Sequence, residues 1–175
     1  MSSKVFEAFY REIFSDLTVS REESEEIKQK LLDVNPPPDK LVWLRATVFR
    51  IGSQFLTDDK ASNVSLLKCM NAIVHAIETT CMTPTVDQND DFDGQKLEDL
   101  YREVLGDLSV DREESKELHE FFKATNRPPK AKLIWTRATI FKIGSEFLSD
   151  DKQKNVALLK CINILVHAVE ITCMK

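Results

Sequence analysis

One stretch of sequence with side chains able to do chemistry occurs twice in this chain. Residues 68–78 read KCMNAIVHAIE and residues 160–170 read KCINILVHAVE. Lysine, asparagine, histidine and glutamate therefore return at one spacing inside apolar sequence. Histidine and glutamate can ligate metals, and histidine can act as a general acid or base. The set is either a site that occurs twice or the polar side of a helix.

The order of these residues does not suit metal binding or catalysis. Di-iron helical bundles use Glu-x-x-His with further carboxylates from partner helices. Here histidine precedes glutamate, and the neighbouring segment, residues 39–56, offers no inward-facing Asp or Glu. No P-loop, dinucleotide-binding, serine-hydrolase or zinc-protease motif occurs. We therefore expect no catalytic residues, no metal and no cofactor, and a protein that is not an enzyme.

An internal duplication organises the sequence. Residues 10–24 match residues 101–115, and residues 43–82 match residues 135–174. A copy of roughly 80 residues is the size of a small helical domain. The residues between the copies are acidic and poor in apolar side chains, as in a linker.

Hydrophobic periodicity predicts four helices in each copy. The helices of the first copy are predicted at about residues 4–17, from residue 20 to the prolines at 36–38, at 39–56 and at 60–82. The predicted fold is all-α, with two tandem four-helix bundles at residues 1–82 and 95–175 that are joined by an acidic linker at residues 83–94. One eight-helix body with internal pseudo-twofold symmetry is the alternative.

Local signals mark the starts of two helices in each copy. Ser20 and Asp111 are each followed three residues later by glutamate, which is the spacing of a capping box. Thr57 and Ser149 are expected to cap the fourth helix, and the aspartate pairs after them suit its positive N-terminal end. We expect this role for the aspartate pairs rather than metal binding.

One arginine in each copy lies inside the apolar sector of the third helix. Arg45 falls between Leu41 and Phe49 on the helical wheel, and an arginine there needs a buried partner or must extend to water. In an antiparallel pair, Arg45 lies opposite Asn71. We predict a polar cross-link that fixes helix register; the alternative is that the polar side chains and the arginine face water. The predicted network comprises Arg45, Asn71, His75, Glu78, Arg137, Asn163, His167 and Glu170.

Tryptophan marks a second candidate surface. Trp43 and Trp135 lie on the predicted polar side of the third helix, and exposed tryptophans are frequent hot spots of protein interfaces. The alternative is packing inside the protein, on the proline loop or on the other copy. The predicted partner-binding residues are Trp43, Thr47, Arg50, Trp135, Thr139 and Lys142.

Charge is divided within each copy. The first two helices are acidic and the last two are more basic, and the chain carries a net charge of −5. The basic part of the second copy could contact phosphate, but a pI of about 5.3 and the interrupting aspartates favour a solvated face. The residues that could contact phosphate are Arg127, Lys130, Lys132, Lys152 and Lys154.

Together these patterns predict a non-enzymatic protein–protein interaction module, such as an adaptor, scaffold or regulatory subunit, which binds a helix or peptide in a groove between helices. Nucleic-acid binding through the second copy is the alternative, and a small-molecule carrier or enzyme with a bundle cavity is a further one. No apolar run approaches a membrane span, and the four cysteines lack disulfide or metal spacing. We therefore expect a protein of the cytoplasm or nucleus with reduced thiols.

Overall fold

The computed structural model describes residues 3–34, 38–81, 94–108, 112–124 and 130–173, and these residues form helices and the turns between them, with no strand among them. The all-α prediction is confirmed. The eight helices of this part of the chain are α1 (Ser3–Asp16), α2 (Arg21–Val34), α3 (Pro38–Gln54), α4 (Lys60–Cys81), α5 (Gly94–Asp107), α6 (Arg112–Ala124), α7 (Lys130–Glu146) and α8 (Lys152–Cys173).

The start of α2 has the predicted capping box. Ser20 Oγ accepts a hydrogen bond from the Glu23 N–H at 3.1 Å, and Glu23 Oε1 accepts one from the Ser20 N–H at 3.0 Å. These two bonds satisfy backbone donors that have no partner within the first turn. The matching box of the second copy begins at Asp111, which lies outside the described residues.

Two matching leucines end the first helix of each half. Leu17 and Leu108 have φ angles of 57° and 56°, the left-handed conformation that L-residues other than glycine rarely adopt. The Leu17 N–H donates to the Ile13 carbonyl at 3.0 Å, which satisfies a carbonyl at the helix end, as in a left-handed C-cap. α1 therefore ends at Asp16, one residue before the predicted boundary.

The chain divides by its internal contacts into two units. The first unit comprises residues 1–82 with 148–156, and the second comprises residues 83–147 with 157–175. The segment 148–156, which holds the α7–α8 turn and the first residues of α8, therefore belongs to the first unit. The sequence-based boundary placed this segment with the second copy.

In the first unit, α4 packs against α1, α2 and α3, and α1 also packs against α3. Contact with three helices explains why apolar residues occupy most of the circumference of α4. Each fully buried apolar side chain contributes about 2 kcal/mol by leaving water. The core side chains include Phe6, Tyr10, Ile13, Phe14, Ile27, Leu31, Leu44, Val48, Ile51, Leu66, Met70, Ile73 and Val74.

In the second unit, α5 packs against α7. The side chains that fill its core are matched in sequence to those of the first half. They include Leu97, Tyr101, Val104, Leu105, Leu118, Ile140, Ile143, Leu158, Ile162, Leu165 and Val166.

Glycine allows two helices to approach closely in each half. A Cβ added at Gly52 would lie 2.8 Å from Met70 Sδ, and one added at the matching Gly144 would lie 2.7 Å from Ile162 Cδ1. Distances below 3.0 Å are not found in real Cβ contacts, so any larger residue at these positions must displace a core side chain. The glycines therefore set the spacing of α3 from α4 and of α7 from α8.

Within the described part of the chain, no helix is both long enough and apolar enough to span a membrane.

Candidate functional site

The described members of the polar set that occurs twice are exposed or half-buried, unlike most of the apolar residues around them on α4 and α8. Lys68 and His75 are exposed and Asn71 is half-buried, while in α8 Lys160 is exposed and Asn163 is half-buried. His167, unlike His75, is half-buried. The side chains of Glu78 and Glu170 lie outside the described part. Among the described residues, no group of three or more potential ligands could hold a metal ion.

The arginines of α3 and α7 are buried. Arg45 is 2% exposed and Arg137 is 1% exposed, so the alternative in which these side chains extend to water is wrong. Each guanidinium carbon lies 6.0 Å from the ring centroid of the phenylalanine one turn further on, Phe49 or Phe141. A cation over an aromatic face gains roughly 0.5–2 kcal/mol, with the larger values where water is excluded.

The level of Arg45 along α4 follows from the contact between Gly52 and Met70. α3 and α4 are joined by a short turn and are antiparallel. A position about two turns before Gly52 on α3 therefore lies beside a position about two turns after Met70 on α4. By this count Arg45 lies near the level of residues 75–78, which include His75 and Glu78 of the predicted network. The polar cross-link itself remains a prediction.

The tryptophan surface differs from its predicted composition. Thr47 and Thr139 are buried, with exposures of 2% and 3%, so their predicted place on an exposed face is wrong. Leu44 lies three positions before Thr47 and Ile51 lies four positions after it, so the three residues share one face of α3. Leu44 and Ile51 are both fully buried. The core-facing sector of α3 is therefore wider than the seam of apolar residues indicates.

The remaining residues of this set lie at the edge of α3 that faces α1, and at the matching edge of α7. Trp43 is half-buried, and the exposed Arg50 pairs with Glu7 of α1 at 2.7 Å. In the second unit Trp135 is 38% exposed, and Lys142, two turns further along α7, is exposed as well.

Trp135 rests on the first residue of α5. A Cβ added at Gly94 would lie 3.0 Å from Trp135 Cη2, so the indole packs against a position without a side chain. The contact is intramolecular, but Gly94 belongs neither to the proline loop nor to the other copy, the two places considered for this packing. The residue nevertheless remains 38% exposed.

The residues considered for phosphate binding are only partly described. Arg127 and the side chains of Lys130 and Lys132 lie outside the described part. Lys152 and Lys154 are exposed at the start of α8. The N-terminus of a helix can bind phosphate through its free N–H groups, but here aspartate carboxylates accept those bonds. This arrangement disfavours a phosphate site at the start of α8.

The aspartate pairs lie at the N-termini of α4 and α8 as predicted, but the caps are different residues. Asp59 Oδ1 accepts the Ala61 N–H at 3.2 Å and so caps α4, whereas Thr57 Oγ1 accepts the Asp59 N–H at 3.1 Å. In the α7–α8 turn, Asp151 and Ser149 have the same two roles. The predicted capping of α4 and α8 by Thr57 and Ser149 is therefore corrected.

Two buried asparagines were not singled out from the sequence. Asn63 and Asn155 are each 1% exposed and bond to the backbone of the turn that precedes their helix. An asparagine at one position in both copies, within a helix that is otherwise apolar on that side, was the available signal. A buried amide must find partners, and a backbone turn offers both a donor and an acceptor.

The described cysteines are poor nucleophiles. Burial raises the pKa of the Cys69 thiol to about 11, and the charge of Glu23 adds to the shift. The pKa of Cys161 is raised for the same reasons, burial first and then Glu114. Both thiols are therefore protonated at neutral pH, and reactivity belongs to the thiolate.

Comparison with known proteins adds no identity to this geometry: no family model, no curated protein and no solved structure matches the chain.

Proposed function

We propose that the chain is a non-enzymatic protein–protein interaction module, an adaptor, scaffold or regulatory subunit, built from two helical bundles that arose by duplication. The matched left-handed leucines, the matched turn asparagines and the matched glycines support the common origin of the halves. The buried thiols suit a reducing compartment, the cytoplasm or the nucleus.

The observation that carries this proposal is the exposure of Trp135. Its ring rests on Gly94, so it is held in place at the edge between α5 and α7. A large, rigid and partly exposed aromatic side chain is the residue type that contributes most to protein interfaces. The matching Trp43 is half-buried, so the second half is the better candidate for partner binding.

The partner that fits this edge is an amphipathic helix or an extended peptide. Trp135 supplies the apolar contact, and Lys142 supplies a cation two turns away along α7. The ion pair between Arg102 and Glu146, at 2.6 Å, lies further along the same edge. An apolar anchor flanked by charges is the usual composition of a helix-binding or peptide-binding groove.

The test is affinity capture from a cell extract with four forms of the protein: wild type, Trp135→Ala, Trp43→Ala and Ile164→Ala. Ile164 is the matched control, because it is an apolar side chain of similar exposure, 41%, on another helix. We expect Trp135→Ala alone to lose partners that the other forms retain, with unchanged helical content by circular dichroism. Retention of every partner by Trp135→Ala contradicts the proposal.

The same experiment distinguishes the alternative of nucleic-acid binding. Treatment of the extract with nuclease leaves a protein partner bound, whereas a partner that is held through nucleic acid is lost. Direct binding of DNA or RNA that weakens steeply with salt, and that charge reversal at Lys152 and Lys154 removes, supports the alternative.

A further inference from the structure

The turns between α3 and α4 and between α7 and α8 have one internal structure, and both lie in the first unit. In the first turn the Thr57 N–H donates to Asn63 Oδ1 at 2.9 Å, and Asn63 Nδ2 donates to the Thr57 carbonyl at 2.8 Å. In the second turn, Ser149 and Asn155 form the same two bonds at 2.9 and 2.7 Å. Each asparagine therefore closes its turn by bonding to the backbone of Thr57 or Ser149. The aspartate pair of each turn lies inside the segment that these bonds close.

The two turns also bond to each other. Asp150 Oδ1 accepts the Lys60 N–H at 2.8 Å, and Asp58 Oδ1 accepts the Lys152 N–H at 3.0 Å. Lys60 and Lys152 are the first residues of α4 and α8. The first amide of each helix is therefore satisfied by a carboxylate from the turn before the other helix.

This arrangement gives the two aspartates of each pair separate roles. The second residue, Asp59 or Asp151, bonds to its own helix. The first residue, Asp58 or Asp150, bonds to the other helix. We call these four aspartates, together with the backbone N–H groups that donate hydrogen bonds to them, the cross-capped junction.

The junction is reciprocal, because each turn supplies a carboxylate to the first N–H of the helix that follows the other turn. Such an isologous arrangement is usual between the subunits of a twofold-symmetric dimer. At a helix N-terminus, the free N–H groups and the positive end of the helix dipole both favour a carboxylate. When one turn moves away, each helix therefore loses a favourable partner at the same moment.

We infer that the cross-capped junction is a conformational coupling device, in which opening of either turn releases the first turn of both α4 and α8. The coupling arises because each bond requires the correct position of the opposite turn. The bonds of Asp59 and Asp151 do not have this requirement, so these residues are the internal controls.

The first test follows individual amide protons by NMR in Asp150→Ala and Asp151→Ala. We expect Asp150→Ala to speed hydrogen exchange at Lys60 about fivefold, the usual effect of a lost cap, and to speed exchange at Lys152 as well. Asp151→Ala is expected to act on Gln153, within its own helix. The inference is overturned if Asp150→Ala leaves exchange unchanged at either Lys60 or Lys152, because the two helix starts are then not coupled.

The second test is a double-mutant cycle of Asp58→Ala and Asp150→Ala, measured as the equilibrium constant of unfolding. In a coupled junction, the first substitution already loosens both bonds, so the second adds little. Two independent caps give effects that multiply, and this result would overturn the coupling.

Both aspartates are exposed, so the alanine variants are expected to fold. Asp150→Asn keeps an acceptor oxygen, and its effect on Lys60 is expected to be smaller than that of Asp150→Ala. An equal loss at Lys60 in the two variants would contradict a role for the hydrogen bond.

Discussion

The edge where α1 meets α3 and the edge where α5 meets α7 use matching sequence positions but different polar pairs. Arg11 donates to the side-chain oxygen of Gln54 at 2.8 Å in the first half. Arg102 instead forms an ion pair with Glu146 at 2.6 Å in the second half. The acceptor is neutral in the first half and charged in the second, and a contact forms in both. Exposed pairs at these edges therefore tolerate change as long as geometry is kept.

The exposed apolar side chains differ still more between the halves. Val5 and Leu32 are 46% and 60% exposed, and both match lysines in the second half. Ile164, 41% exposed, matches an alanine in the first half. Solubility alone gives no reason to place large apolar groups on different helices in the two halves. The two outer surfaces are therefore unlike, and two equivalent binding sites are not expected.

The helix ends and the close helix contacts show the opposite behaviour. Leu17 and Leu108 share one unusual backbone conformation, and Gly52 and Gly144 share one close helix contact. Strained or crowded positions leave few acceptable side chains, whereas exposed positions leave many. Predictions about helix ends and close helix contacts should therefore have the same direction in both halves, whereas predictions about surface pairs should hold in one.

The largest expected effect comes from the buried arginines. Arg45→Ala and Arg137→Ala should each lower the free energy of unfolding by about 3–5 kcal/mol, because each truncation leaves a cavity and unpaired polar groups in the core. Chemical denaturation measures the loss. Arg45→Met is the control, since it keeps the packing of the stem, and a smaller loss is expected. A loss below about 1 kcal/mol in only one of the alanine variants would show that the two halves use this arginine differently.

The glycines are expected to give a smaller and unequal effect. Gly144→Ala should cost about 1–3 kcal/mol through overpacking against Ile162, reduced by the better helix propensity of alanine. Gly52→Ala should cost less, because Met70 is unbranched and can move its sulfur away. Thermal or chemical unfolding of the two variants provides the comparison. Equal costs would mean that the α3–α4 contact is as rigid as the α7–α8 contact.

The helices and the capping box of α2 could be predicted because their signals are local. Apolar spacing along one helix and a glutamate three residues after Ser20 depend only on nearby sequence. The width of the buried sector of α3 was predicted less well. Thr47 is polar, and its burial depends on α3 neighbours such as Leu44 and on the helices that pack over them.

The cross-capped junction could not be predicted in the same way. Its bonds join Lys60 to Asp150 and Lys152 to Asp58, residues about one copy apart in the sequence. A pair of aspartates at a helix start is explained sufficiently by the helix dipole. Nothing local indicates that one member of the pair reaches another helix. The helix register around Arg45 is likewise not a local property, since it depends on contacts between helices such as that of Gly52 with Met70.

The ion pair of the second half should make Glu146 titrate abnormally, whereas the matching acceptor of the first half, Gln54, does not titrate. The hydrogen bond from Arg102 holds the pKa of Glu146 below its ordinary value, and Arg102, whose pKa is raised by the same bond, stays charged throughout. A lowered folded-state pKa means that this stabilisation is present above the unfolded value of about 4.3. It is lost as pH falls through the lower folded-state value.

Carbon-13 NMR of the carboxyl group should report the shift, and Arg102→Gln should move the pKa of Glu146 upward. Because the pair is exposed, added salt should reduce the shift. Glu146→Gln copies the residue found in the first half at this position and should remove this pH dependence without loss of the fold. If Glu146 instead titrates at its ordinary pKa in the wild type, the charged pair is only a substitute for the neutral one, and the two edges differ in sequence but not in electrostatics.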